Sequence, residues 1–162
     1  MDNFQSLSKD KIEIVIRLLQ DEKLVQCLAN NQSDFLNYPV TDKVRDNLIY
    51  TQIFPYNTIQ GLQNEAKSYI TMKFRFSRTR GANIFKNFSI TFYLFCEDSL
   101  VKTDYGCLRY DYMLQRVDAL FNDTRGSQWI GKMMCESVED AIIDSEGKYL
   151  GIVAKYVNTE FM

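Results

Sequence analysis

The 162-residue chain contains no histidine. That removes the side chain most used for acid–base catalysis near neutral pH and a common metal ligand. Glycine numbers only 7 and proline only 2. No glycine-rich phosphate loop, dinucleotide fingerprint or Gly-x-Ser-x-Gly elbow is present, so nucleotide cofactors and the hydrolase arrangement are excluded. The cysteines Cys27, Cys96, Cys107 and Cys135 form no Cys-x-x-Cys pair, and without histidine they do not make a zinc site. A chain of this size folds without disulfide staples, so reduced, partly buried thiols are expected. No apolar run approaches the ~20 residues that span a bilayer. The start, Met1-Asp2-Asn3-Phe4, has no basic signal-like region, so synthesis in a cytoplasm is expected. Net charge is -2, which supplies no global basic field for nucleic acid.

What the chain has is aromatic residues: 10 tyrosines and 11 phenylalanines. Many lie in alternating runs. Ile70, Met72, Phe74 and Phe76 alternate with polar residues, and Phe88, Ile90, Phe92, Leu94 and Cys96 do the same. A period of two predicts strands with one buried face, here an antiparallel hairpin joined by a basic loop over 77–87. Ser8 is the expected cap of a helix over about 9–29, with Asp10 in its first turn and an apolar stripe at Ile12, Val15, Ile16 and Leu19. A bend is expected near Asp21. Residues 31–47 read as a polar loop, and 48–54 as a short extended piece ended by Pro55. Tyr105 to Asn122 carries a second helical stripe, Tyr110, Leu114, Val117 and Phe121, with Asp104 as its cap. Extended stretches follow at 129–138 and 149–157, with a turn at Ser145-Glu146-Gly147-Lys148. The expected fold is α+β: an antiparallel sheet of about four to five strands, with an N-terminal and a central helix on one face. Residues 1–162 form one domain, with a compact core over 8–158 and short flexible termini.

Candidate sites are few. Cys107 follows Gly106 near a helix start, where a dipole lowers a thiol pKa, but its activating base would have to be lysine, a carboxylate or a terminal amine. Glu139-Asp140 with Asp144 and Glu146 lack the spacing of a calcium loop and read as solvated charges. No catalytic, metal or cofactor residue is therefore assigned, and the chain reads as non-enzymatic. Arg75, Arg78, Arg80 and Lys86 fall close together with no acid between them. They suit an acidic partner surface or passing DNA, or else act as charges that keep a hairpin soluble. Tyr93 and Phe95 point to the face opposite Phe92, so both sheet faces carry apolar groups. That implies a second covering helix or burial by a neighbouring subunit.

The layout combines an opening helix with Ile14-Val15-Ile16-Arg17-Leu18-Leu19 and Leu24-Val25-Gln26-Cys27-Leu28, then Ile53-Phe54-Pro55 and a strand pair. Leu108-Arg109-Tyr110 then leads into Arg116-Val117-Asp118-Ala119-Leu120-Phe121, and a hairpin closes after Trp129-Ile130-Gly131-Lys132. In this order of elements, over about 8–158, the chain resembles the neck proteins of tailed bacteriophages, the tail-terminator and tail-completion group. The resemblance implies a cofactor-free virion subunit, assembled in the host cytoplasm. It would form a ring of its own copies (a hexamer or dodecamer) at the head–tail junction, touching adjacent neck and tail proteins, with DNA passing transiently through the lumen and no membrane partner. Subunit contacts would use the sheet edges and the Tyr93/Phe95 face. The alternative is a monomeric protein-binding module, an adaptor or inhibitor, that uses a sheet edge.

Overall fold

The computed structural model describes residues 3–58, 66–78, 85–125, 132–143 and 147–158. Two helices open the chain, α1 (Asn3–Gln20) and α2 (Glu22–Ala29), and α3 (Asp42–Asp46) and α4 (Arg109–Phe121) follow. The strands are β1 (Ile53–Phe54), β2 (Ser68–Arg78), β3 (Phe85–Glu97), β4 (Thr124–Arg125), β5 (Lys132–Ile142) and β6 (Tyr149–Asn158). They form one sheet in the order β1-β2-β3-β6-β5-β4. The four long strands are antiparallel, and the two-residue β1 adds a parallel pairing to β2. This is the expected α+β architecture, with short strands added at both sides.

The periodicity of β2 and β3 sets the register. Met72 lies opposite Phe92, Phe74 opposite Ile90 and Phe76 opposite Phe88. On the far side of β3, Phe92 meets Ala154 and Ile90 meets Tyr156. These side chains face α1, α2 and α4 and form the main core with Val15, Leu18, Leu24, Leu28, Met113, Val117 and Phe121. Strand pairing continues to Arg78 and from Phe85, so Arg78 and Lys86 are strand residues, not members of a long loop. The Phe76 and Phe88 rings, 4.9 Å apart between centroids, form the last cross-strand pair that the alternation predicts, and backbone pairing continues past them through Ser77 opposite Asn87 and Arg78 opposite Phe85.

Other local expectations are corrected. α1 begins at Asn3, upstream of Ser8, because buried Leu7 extends the apolar stripe by a turn. Ser8 and Asp10 are therefore interior helix residues. The buried stripe runs through Leu7, Ile14, Val15 and Leu18, and it leaves Ile12 and Ile16 exposed. α4 starts at Arg109 after Leu108, which leaves Asp104 outside as a loop residue. Within 31–47, Thr41 caps the short α3 by accepting from the Val44 N–H at 3.3 Å. The second strand pair begins at Lys132, and Trp129 and the 144–146 part of the turn lie outside the described residues.

Two polar contacts lock the helices to each other. The helix breaks at Asp21, whose carboxylate accepts from the Leu24 N–H at 2.9 Å and so caps α2. The same carboxylate takes a forked pair from Arg116 of α4, at 3.1 and 2.6 Å. This bonding raises the Arg116 pKa further.

The second contact is Arg109, fully buried at the start of α4. Its Nε donates to Leu100 O at 2.8 Å, Nη1 to Cys27 O and Asn30 O at 2.9 and 3.0 Å, and Nη2 to Asn31 O and Gln32 O at 3.1 and 2.9 Å. All five guanidinium N–H groups are thereby used on backbone carbonyls, and the plane sits 4.8 Å from the Phe35 ring centre. A helix end leaves carbonyls without partners and carries partial negative charge, so a cation there satisfies both. Gln52 supplies the neighbouring Leu28 carbonyl.

Lysine has three donors and no planar fork, so Arg109→Lys leaves at least two of these carbonyls without a donor. Stability should fall by about 2–6 kcal/mol, at about 1–3 per unsatisfied group. The midpoint of urea unfolding measures this, and an unchanged midpoint would remove the clamp from the account.

Candidate functional site

The sheet face away from the helices is the surface on which the candidate residues gather. Alternation places Lys73 and Arg75 of β2, Thr91 and Tyr93 of β3, Val153 and Lys155 of β6, and Ser137 and Glu139 of β5 there. Lys73, Arg75, Glu136 and Glu139 are exposed, and Lys155 reaches Glu136 at 2.9 Å. A shallow groove of about 230 Å³ runs between Arg75, Asn87, Ser89, Glu136, Lys155 and Val157. Its mixed charge does not match a phosphate cradle.

Of the expected contact residues, Arg75 is exposed on this face. Arg78 and Lys86 are placed by their backbone alone, and Arg80 lies outside the described residues. Tyr93 is half-buried. Phe95 is 2% exposed and is not a free surface group. Phe95 belongs to a second apolar cluster with Phe54, Tyr69 and Tyr149, packed on by Tyr93 and Ile143. Tyr69 stacks on Phe95 at 5.4 Å, and Tyr149 meets it edge-on at 6.3 Å. Among the described residues, Phe95 is thus covered by Phe54 of β1, Tyr69 of β2 and Tyr149 at the start of β6, with no second helix over it. Gly151 lies opposite Phe95, where a Cβ would come within 2.2 Å of Leu94 O. The missing side chain lets the aromatic cluster close.

Sequence reasoning missed how the sheet ends. Among the described residues, β2 is paired on its outer side only at Ile70 and Thr71, by β1. β5 is paired on its outer side only at Lys132 and Met133, by β4. The outer edges of Met72–Arg78 and of 134–142 present backbone N–H and C=O groups with no strand partner among those residues. The hairpin pattern predicted the strands, but only the order of strands in space shows which two lie outermost.

Cys107 sits in the loop before α4, two positions ahead of its first residue, beside an open depression lined by Asp98, Lys102, Thr103 and Asp111. All four cysteines are free thiols. Burial pushes Cys27 and Cys96 up to about 12, so both are protonated at neutral pH. Among the described residues, no cluster of cysteine and carboxylate groups could hold a metal ion, and no helix is long and apolar enough to cross a membrane.

A family model, YomW, matches residues 21–158. The chain belongs to the YomW family. This is a phage-derived family of SPbeta/Bacillus prophage type. No curated protein and no solved structure matches the chain significantly. The YomW match starts at Asp21, the cap of α2, and spans Arg109, the aromatic cluster and both open edges. In this YomW chain a maleimide at neutral pH should modify half-buried Cys107 and Cys135 and leave Cys27 and Cys96 untouched until denaturant is added. Peptide mapping reads the outcome. Labelling of Cys27 in the native state would show that the Arg109 clamp, whose Nη1 lies 3.9 Å from its Sγ, opens freely.

Proposed function

We propose that this protein is a non-enzymatic structural subunit of a phage virion, a ring component of the head–tail junction that joins connector to tail and lets DNA pass. The observation that carries the reading is a sheet whose two outer long strands, on opposite sides, have largely unpaired outer edges among the described residues, in a chain from a phage-derived family. A ring needs two different surfaces per subunit, each complementary to the other, and opposite sheet edges supply such a pair. The basic β2–β3 hairpin, whose strands carry Arg75, Arg78 and Lys86, would face the lumen or the next ring. The protein would be made in the host cytoplasm and end in the neck of the virion.

The fold also suits a monomeric binding module that adds a partner's strand to one edge, and one experiment separates the two. Deleting the gene from its phage should leave filled heads and tails that do not join. Restoring it with Arg78 and Arg80 both changed to Glu should impair joining while the purified variant stays folded, since surface changes usually move stability by about 0.5 kcal/mol or less. Electron microscopy and mass spectrometry of purified particles read both arms. Normal joined virions that lack the protein would overturn the virion role and leave the binding module.

A further inference from the structure

Each of the two edges left without a strand partner among the described residues carries charge of one sign. In β2 the ionisable residues are Lys73, Arg75 and Arg78, with no acid. In β5 beyond Lys132 they are Glu136, Glu139 and Asp140, with no base. Lys73, Arg75 and all three acids are exposed. Lys132 is engaged with Asp123 and Glu136 with Lys155, which leaves Glu139 and Asp140 as the acids of the β5 edge. Charges on edge strands discourage edge-to-edge aggregation. Two edges of opposite sign do more: they forbid β2–β2 and β5–β5 contacts and favour β2–β5.

Strand direction agrees. β2, β3, β6 and β5 are each antiparallel to the next, so β2 and β5 run in opposite directions within one subunit. Copies related by rotation about a ring axis keep their orientation. The β5 edge of one copy therefore meets the β2 edge of the next as an antiparallel pair, which extends the existing ladder. The faces match as well. Lys73 and Ser137 lie on one pairing line through Thr91 and Lys155, and Arg75 and Glu139, each two residues along its strand, share that face. A register with Lys73 opposite Glu139 sets Arg75 opposite Ser137, next to Glu136.

We propose that the partner of these edges is a second copy of this chain: β5 of one subunit pairs antiparallel with β2 of the next, head to tail, with the acidic and basic edges selecting the contact. This rests on the ring reading above and names the surfaces that would make it. Such a contact is heterologous, so it closes into a ring or grows as a filament according to the rotation per subunit.

The test is a charge exchange in the full chain. One variant carries Lys73→Glu with Arg75→Glu, the other Glu139→Lys with Asp140→Lys. Light scattering over a concentration series, at low and high salt, reads association, and circular dichroism verifies folding. Wild type should associate, and less so at high salt. Each variant alone should associate about tenfold or more weakly, because its two edges then carry the same sign. An equimolar mixture should regain wild-type association, since each variant then finds an edge of opposite sign on the other. The regain also shows that the variants are folded. If wild type associates and neither variant differs, or the mixture does not recover, the edge pairing is overturned while the virion role stands. If wild type stays monomeric throughout, the self-contact is overturned, and the gene-deletion result decides the virion role separately.

Discussion

The buried guanidinium of Arg109 is the constraint on which the helical layer depends. A fully buried cation is costly unless its donors are satisfied, and here the compensation comes from carbonyl dipoles at the end of α2 and in the segment after it. One side chain thereby ends α2, fixes the turn through Gln32, and sets where α4 begins relative to Leu100. Phe35, against which Arg109 lies, also meets Tyr105 and Tyr112 edge-on, so the polar clamp sits inside an aromatic box. Asp21 and Arg116 repeat the arrangement at the other end of α2, with the cap and the partner exchanged. Between these two locks α2 has little freedom to slide, and the sheet below it has a fixed lid.

Much of the fold was legible where one pattern dominated. The period-two runs through Met72, Phe74, Phe88 and Phe92 identified the central hairpin, and the stripe through Tyr110, Val117 and Phe121 identified α4. Legibility failed where two patterns overlapped. In α1, apolar residues lie on more than one side, and only packing against α2 and α4 shows that Val15 is inward and Ile12 outward. Polar residues misled in the same way. Ser8 and Asp104 have capping chemistry, but a cap forms only where the helix ends, and Leu7 and Arg109 moved those ends.

The candidate surface was legible in its parts and not in its assembly. Arg75 was recognised as basic, and Glu139-Asp140 as an exposed acidic pair. Nothing in their spacing showed that they sit on opposite borders of one sheet, because β6 inserts between β3 and β5 in space while following both in the chain. Phe95 shows the converse. Its place on the second face was correct, but its burial depends on Phe54 from a distant segment and on a glycine at position 151 that admits the ring. Apolar groups on both faces of a strand therefore do not by themselves announce an interface.

The reach of Arg109 also orders events during synthesis. The carbonyl of Cys27 and its donor are separated by 82 positions in the chain. While the first hundred residues emerge from the ribosome, the far end of α2 has no cation to close it, and a short isolated helix is marginal in water. The clamp therefore cannot form until residue 109 has been synthesised. The contact that closes α2 is thus a long-range one, made between the opening third of the chain and a residue well past its middle.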